Sequence, residues 1–149
     1  MAKLIKVSEA ASLALHAMVL MAAESLRPLS TAEIASRLVV SEAHLSKVLQ
    51  RLGRAGLVKS LRGPRGGFVL ARGSGAMTLR DVYEAIEGKC EPSGCLFGSP
   101  ACGLKRCILS GVVEKVDGQL RRYLARTRLS DVAGVFAGKG VREKKNNRD

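Results

Sequence analysis

The sequence predicts a mainly α-helical chain with one small β-hairpin. Apolar residues recur at helical spacing along most of the 149 residues. A single glycine-rich stretch, "RGPRGG", separates two runs of β-type residues. Polar residues that commonly cap helix N-termini precede several of the helical runs. With 46% hydrophobic residues, and only three Phe and two Tyr among the aromatics, the chain can bury a mostly aliphatic core.

The first helical run is "SEAASLALHAMVLMAA", close to the N-terminus. It has some likeness to the apolar part of a signal peptide, but Glu9, Ser12 and His16 interrupt it. No apolar run in the chain reaches the ~20 residues needed to cross a bilayer. We therefore expect an amphipathic first helix in a cytoplasmic protein that has no membrane segment.

Two short helices joined by a tight turn are predicted next. Ser30 is the expected N-cap of the first, and Glu33 three residues later would complete a capping box. Ser41 is the expected N-cap of the second, which extends to about Leu52 and buries one apolar face. This pattern is typical of a helix-turn-helix, whose second helix reads the major groove of DNA. The residues of this second helix expected to contact DNA are Ser41, His44, Ser46, Lys47, Gln50 and Arg51.

A β-hairpin follows at once in "GLVKSLRGPRGGFVLARG". Two β-type runs flank the glycine-rich turn, which is a hairpin signal. Arg62 and Arg65 lie at its tip, where they could reach phosphates or the neighbouring minor groove. A helix-turn-helix followed by such a hairpin predicts a winged helix-turn-helix.

The distribution of charge supports a nucleic-acid partner. The net charge is +12, and the 38 residues from Ala43 to Arg80 contain eight Lys or Arg and no Asp or Glu. Such a stretch is suited to a long polyanion. RNA is the alternative to double-stranded DNA, but RNA-binding modules usually carry stacking aromatics, and Phe68 is the only aromatic here. No catalytic constellation is present, so we do not expect an enzyme, and an electron carrier would not need the basic stretch.

Two further helices are predicted after the hairpin. Thr78 and Asp81 would cap "LRDVYEAIEG", and a long helix would run from about Leu104 to Ala125. The long helix carries an apolar stripe that no later segment except "RLSDVAGVFAG" could cover. A second copy of the same helix is the natural cover, and the resulting two-fold homodimer would suit a palindromic operator. The stripe consists of Leu109, Val112, Val113, Val116, Leu120, Tyr123 and Leu124.

All four cysteines lie within eighteen residues, at Cys90, Cys95, Cys102 and Cys107. No C-x-x-C pair of the usual zinc-site kind occurs among them. The loop is rich in Gly and Ser, which suits a chain that wraps an iron–sulfur cluster, although the spacing matches no ferredoxin. From these residues alone an iron–sulfur cluster, thiol redox chemistry and zinc all remain possible.

The order of these motifs resembles the IscR and NsrR type of bacterial regulators. The resemblance covers residues 3 to about 137, and "GLVKSLRGPRGGFVLAR" is its most specific stretch. It implies a dimeric winged-helix transcription factor with residues 41–51 as the recognition helix and Arg62 and Arg65 as the wing. It also implies an iron–sulfur cluster, of [2Fe–2S] or [4Fe–4S] type, on the cysteine segment.

The chain departs from that family pattern at two places. Family recognition helices often carry a Tyr and then a Glu-Gln pair where this chain has His44, Ser46 and Lys47, so the operator sequence cannot be transferred. Many members have three cysteines and complete the cluster with another residue, whereas this chain has four. Either Cys107 is the fourth ligand, or a residue of the partner's first helix replaces it. The positions near that outside ligand are Glu9, Ser12 and His16.

Together these features predict a transcriptional regulator, expected to be a repressor, whose operator affinity depends on its cluster. We expect a DNA-binding domain over residues 1–88 and a cluster-binding loop over 89–107. A dimerisation helix and a C-terminal helix would occupy 104–137, followed by a disordered basic tail over 138–149. Loss or oxidation of the cluster would shift the balance between DNA-competent and incompetent forms.

Overall fold

The computed structural model describes residues 5–92, 105, 108–109 and 111–136. The predicted fold class, mainly helical with one hairpin, is confirmed within these ranges. The helices and strands are α1 (Glu9–Ala23), α2 (Thr31–Leu38), α3 (Glu42–Arg54), β1 (Val58–Leu61), β2 (Gly67–Leu70), α4 (Leu79–Glu87), α5 (Val112–Arg126) and α6 (Leu129–Val132). Among the described residues, no helix has both the length and the apolar character needed to cross a membrane.

Helix α1 forms the centre of the core. Ser8 caps its N-terminus by accepting a hydrogen bond from the Ala11 N–H. The helix contacts α2, α3, α4, α6 and β2. Nine of its fifteen residues are buried, including the consecutive run from Ala17 to Ala22. The expectation of an amphipathic helix was therefore wrong, because neighbours surround α1 on most sides and leave little of it to face water.

Helices α2 and α3 form the predicted helix-turn-helix. The Ser30 Oγ accepts a hydrogen bond from the Glu33 N–H, but the Glu33 carboxylate pairs with Arg27 instead of closing a capping box. The Ser41 Oγ accepts from the His44 N–H in the same way at the start of α3. Ile34 of α2 is fully buried, and α3 buries one apolar face. The four buried residues of α3 are Leu45, Val48, Leu49 and Leu52.

The hairpin pairs β1 and β2 in antiparallel register, with Val58 opposite Leu70 and Leu61 opposite Gly67. A further bridge joins Phe68 to Leu29, the residue just before the cap of α2. The Phe68 N–H donates to the Leu29 carbonyl at 2.8 Å, and the Leu29 N–H donates to the Phe68 carbonyl at 3.1 Å. A Cβ at Gly67 would lie 2.5 Å from the Leu29 oxygen, so only glycine allows this approach.

Helix α4 begins at the predicted capping box of Thr78 and Asp81, with both reciprocal hydrogen bonds present. It buries Leu79, Val82 and Ile86. The backbone of Thr78 bridges that of Arg128, which brings the C-terminal segment back onto the domain. That segment, α6 and the turn after it, packs against α1 and not along α5. The C-terminal segment that the sequence offered as a cover for α5 is therefore used elsewhere.

Helix α5 is shorter than predicted. It begins at Val112, and Gly111 is its N-cap in a left-handed conformation with φ of 76°. The expected start near Leu104 lies outside the described residues, but Leu109 is in a turn, so the helix is not continuous from there. The conformation of Gly111 ends any helical path on its N-terminal side. The predicted basic tail over 138–149 also lies outside the described residues.

Candidate DNA interface and cysteine segment

Helices α2 and α3 and the hairpin, residues 29–72, form what we call the reading unit. The face of α3 opposite its buried side carries the predicted contacts. Lys47 and Gln50 are exposed, and Ser46 is half-buried between them and the core. Ser41 is exposed at the N-terminus of α3, although its Oγ already caps the helix. These four residues therefore offer one positive charge and several neutral hydrogen-bonding groups, which is a set suited to base edges and phosphates.

The wing adds two cations to the same unit. Arg62 and Arg65 are both exposed in the turn between β1 and β2. The Leu29–Phe68 bridge fixes β2 against the start of α2, so the wing is held in place relative to α3. Two exposed guanidinium groups on an anchored turn are suited to phosphate oxygens or a narrow minor groove.

His44 has a neighbour that the sequence did not suggest. Its Nδ1 lies 3.5 Å from an Oε1 of Glu9, the first residue of α1. Glu9 is strongly exposed, while His44 is half-buried. A carboxylate thus lies beside the predicted DNA-contacting face, and it was missed because Glu9 is 35 positions away from His44 in the sequence.

Arg51 is not directed only towards solvent. Its Nη2 donates a hydrogen bond to the backbone carbonyl of Ile86 in α4, with an N···O distance of 2.5 Å. Ile86 lies in the last turn of α4, shortly before the cysteine segment. Of the six predicted DNA contacts, His44 thus lies beside α1 and Arg51 is hydrogen-bonded to α4.

The turn between α2 and α3 contains an unusual residue. Val39 adopts a left-handed conformation with φ of 58° and ψ of 51°, and 89% of its surface is exposed. It is the only non-glycine residue with positive φ in the described part of the chain. A β-branched side chain is unfavourable there, because its Cβ crowds the following carbonyl. No sequence pattern pointed to this strain.

Cys90 is the one predicted ligand within the described residues, and Cys95, Cys102 and Cys107 lie outside them. It is half-buried, and its N–H donates to an Oε1 of Glu84 at 2.9 Å. Burial raises the pKa of the Cys90 thiol, and the Glu84 carboxylate raises it further. The same carboxylate oxygen accepts from the Arg80 Nε at 2.8 Å. The Cys90 N–H and Arg80 together lower the pKa of Glu84, so this carboxylate is ionised at neutral pH.

A cleft of about 310 Å³ lies beside Cys90, between the end of α4 and the middle of α5. Its lining mixes charged and apolar side chains, including Tyr83, Glu87 and Arg121. Arg121 pairs with Asp117 of the same helix at 2.8 Å. Among the described residues, no group of three or more His, Cys, Asp or Glu side chains could hold a metal ion. A metal centre would thus need thiols from the segment that follows Cys90.

The first helix supplies the alternative ligands. Within α1, His16 is exposed, and its Nδ1 lies 2.6 Å from the Ser12 carbonyl oxygen. Ser12 itself is half-buried, and Glu9 is engaged with His44. His16 is therefore the alternative ligand best presented to another subunit.

The predicted stripe on α5 is largely exposed. Of its members on the helix, only Leu124 is buried, and Val113 is half-buried. The remaining four, which we call the α5 stripe, are Val112, Val116, Leu120 and Tyr123. Exposed apolar residues that share one helix face are a feature of surfaces that bind another protein chain.

Comparison with known proteins agrees with this architecture. The profile of the Rrf2 family, described as iron-dependent transcriptional regulators, matches residues 7–134. A putative HTH-type transcriptional regulator of Lactococcus lactis, YffB, is 33% identical over 113 residues, which is 72% of each chain. IscR of Xenorhabdus nematophila is 27% identical over 105 residues, covering 70% of this chain and 64% of IscR.

Two solved structures have a closely similar fold. CymR of B. subtilis, described as its global cysteine regulator, superposes with a TM-score of 0.74 at 29% identity, covering 89% of this chain and 98% of CymR. IscR of T. potens gives a TM-score of 0.71 at 28% identity, covering 92% of this chain and 93% of that protein. Both proteins share the fold of this chain.

Proposed function

Because this chain belongs to the Rrf2 family of transcriptional regulators, we propose that it is a homodimeric repressor whose operator affinity is set by its cysteine segment. The main support for DNA binding is the charge of the reading unit. Its exposed residues between Ala43 and Arg72 include seven Lys or Arg and no carboxylate. A family of this kind acts on DNA and not as an enzyme.

The reading unit supports a division of labour on double-stranded DNA. Ser46, Lys47 and Gln50 on α3 are proposed to contact base edges and phosphates in the major groove. Arg62 and Arg65 are proposed to contact the backbone or the minor groove next to it. Phosphate contacts would make the affinity fall steeply as salt rises, since each neutralised phosphate releases condensed counterions.

The homodimer is supported by the α5 stripe. Its four apolar side chains are exposed, and the C-terminal segment that could have covered them packs on α1. Burying such a stripe against a second copy removes apolar surface from water on both chains. Two reading units related by a two-fold axis would then suit an operator with two inverted half-sites.

The sensor is proposed to be an iron–sulfur cluster held by Cys90, Cys95, Cys102 and Cys107. Four thiols within eighteen residues are a sufficient donor set, and the family description names iron. Bound iron would supply a positive charge beside Cys90 and would favour its thiolate over the thiol. The raised pKa of the Cys90 thiol makes it a poor nucleophile without such a charge.

A thiol-based sensor is the second candidate. It is favoured by the similarity to CymR, which is described as a cysteine regulator. In that case the four thiols would respond directly to oxidation, and no metal would be needed. The raised pKa of the Cys90 thiol disfavours it as the first thiol to be oxidised, so the reactive thiol would be another of the four.

The test is to count iron and sulfide per chain in anaerobically purified protein, with its absorption spectrum, for the wild type and four Cys→Ser variants. A cluster lost in all four variants supports ligation by four cysteines. A cluster that survives Cys107→Ser but is lost in His16→Ala supports a ligand from the partner's α1. Protein without iron or sulfide whose operator affinity changes on thiol oxidation would favour the second candidate.

A further inference from the structure

The last turn of α4 joins three parts of the molecule. The Ile86 carbonyl accepts from Arg51 of α3, the Glu87 carboxylate accepts from the Ser8 hydroxyl that caps α1, and the Glu84 carboxylate accepts from the Cys90 N–H. No other described turn receives side-chain or backbone donors from both the reading unit and the cysteine segment. The state of the cysteine segment can therefore reach the reading unit through this turn.

Two of these contacts occupy groups that would bond to each other in a longer helix. In an α-helix the N–H of residue i+4 donates to the carbonyl of residue i, so the Cys90 N–H is the helical partner of the Ile86 carbonyl. Here α4 stops at Glu87, and the two groups are separated. Arg51 satisfies the carbonyl and Glu84 satisfies the N–H. Neither group of the interrupted bond is left without a partner.

The residue between them permits both arrangements. Gly88, the C-cap of α4, has φ of 86°, which ends the helix. Glycine also adopts helical φ without steric cost, so the backbone can rotate and extend α4 by about one turn. In the extended arrangement the Cys90 N–H would bond to the Ile86 carbonyl and compete with Arg51 for it. The helix end thus has two arrangements with different contacts, which is what a switch requires.

We propose that Arg51 is the positioning residue that couples the cysteine segment to the recognition helix, by competing with the Cys90 N–H for the Ile86 carbonyl. This rests on the proposed function, because it assigns the route of a regulation that the cysteine segment is proposed to exert. While the segment holds Cys90 away from the helix axis, Arg51 ties the end of α3 to α4. When the segment is released and α4 extends, the guanidinium is freed and the reading unit loses this restraint.

The proposal changes the role expected for Arg51 among the basic residues of α3. Lys47 is exposed and Arg54 makes no hydrogen bond or ion pair with the described residues. Arg54 is in the same last turn as Arg51 and carries the same charge. Substituting Arg54 therefore removes one positive charge near DNA and nothing else. Substituting Arg51 removes the same charge and also the contact to α4.

The test measures operator affinity for two forms of the same protein at one salt concentration. Three preparations are compared: anaerobically purified, iron-depleted and air-oxidised protein. The two whose operator affinities differ most in the wild type are used for every variant. We expect their affinities to differ at least about tenfold in the wild type. In Arg51→Ala the difference should fall to about twofold or less. In Arg54→Ala both affinities should fall by a similar factor, so the ratio should match that of the wild type.

Three further variants protect the test against misfolding. Arg51→Lys keeps a donor and should restore part of the ratio. Glu84→Ala frees the Cys90 N–H to compete for the Ile86 carbonyl and should lower the ratio, whereas Glu84→Gln retains an acceptor oxygen and should lower it less. Combining Arg51→Ala with Glu84→Ala should add nothing further, since both act on one contact. Circular dichroism of each variant checks that it is folded.

The outcomes separate this proposal from the function on which it rests. A wild-type protein with equal affinities in every form would overturn the sensor function and the coupling together. A wild type that switches, with Arg51→Ala and Glu84→Ala switching to the same extent, would overturn the role of Arg51 alone. A ratio lost equally in Arg51→Ala and Arg54→Ala would show that charge, and not the contact to α4, is responsible.

Discussion

The reading unit and helix α5 differ in how much of their apolar surface is buried within the chain. Most large apolar side chains of the reading unit are buried within the chain, and apart from Val39, Val40 and Leu61 its exposed surface is largely polar and basic. Helix α5 buries little besides Leu124 and leaves the four residues of the α5 stripe exposed. The first region buries most of its apolar side chains within one chain, whereas the described residues leave the α5 stripe uncovered. The surface proposed to bind DNA and the surface proposed to bind a second copy thus differ in what they leave exposed.

We expect the largest effect from a charge placed on the α5 stripe. Leu120→Glu should prevent a second copy from packing there, because a buried unpaired carboxylate is costly. Two linked half-site contacts would become one, so operator affinity should fall by about 100-fold or more. Analytical ultracentrifugation and an operator titration at fixed salt measure both effects.

Ala125→Glu is the matched control for that substitution. Ala125 is exposed and lies about 140° around the helix from Leu120, and the change adds the same charge. It should leave the dimer intact and weaken DNA binding only slightly. A Leu120→Glu protein that remains dimeric would contradict the assignment of the α5 stripe to a second copy.

The wing tests the other side of the comparison. Arg62→Ala or Arg65→Ala should each cost about 1–3 kcal/mol of operator binding if the side chain contacts a base, and should shift the preference at that position. A phosphate contact would instead weaken binding to all sequences alike and lower the salt dependence. Dimerisation should be unchanged in both variants, since the wing is remote in sequence from α5. Tighter binding to structured RNA than to any DNA duplex would contradict the reading-unit assignment.

Val39 tests whether the reading unit is optimised for stability. Glycine at this position would relieve the left-handed strain of about 1–2 kcal/mol at some cost in unfolded-state entropy. We expect Val39→Gly to raise the free energy of unfolding by about 0.5–1 kcal/mol. The neighbouring Val40→Gly, which relieves no such strain, should lower it. Urea unfolding of both variants checks the sign, and a loss of stability in Val39→Gly would show that the exposed side chain makes contacts in the folded protein.

The smallest expected effect concerns the ion pair that anchors the start of α2. Arg27 lowers the pKa of the Glu33 carboxyl from its ordinary 4.5, chiefly through their hydrogen bonds. A carboxyl whose folded pKa is lowered contributes stability that is present above its unfolded pKa and lost as pH falls through the folded value. Glu33→Gln should therefore be slightly less stable than wild type at pH 7, and the two should converge as pH falls below the lowered pKa of Glu33. A thermal melt across this range measures it.

Local patterns predicted the reading unit well, because caps, helix period and hairpin glycines act over a few residues. Ser41, Thr78 and the turn from Gly63 to Gly67 fell where they were expected. The failures have another origin. Helix α1 carries a few polar residues, so the sequence did not show that neighbours would pack on most of its sides. The apolar stripe suggested a longer helix than α5, which begins only after Gly111.

The parts of the candidate site that the sequence could not predict depend on long-range contacts. The pairs His44–Glu9 and Arg51–Ile86 each join residues 35 positions apart. Cap and periodicity signals do not act over such distances. The position of Cys90 next to Glu84 is closer in sequence, but it depends on where α4 stops, and helix ends are the least predictable part of a helix.

The bridge between Leu29 and Phe68 affects which feature of an operator should depend on the state of the cysteine segment. Since it ties the wing to the start of α2, the wing and α3 keep one spacing, and each half-site is read by a fixed surface. We expect a change at the cysteine segment to alter the distance and angle between two such surfaces more than the base preference of either. In a library of operators with varied spacer length between the half-sites, the preferred spacer should differ between sensor states, while the preferred half-site sequence should stay the same.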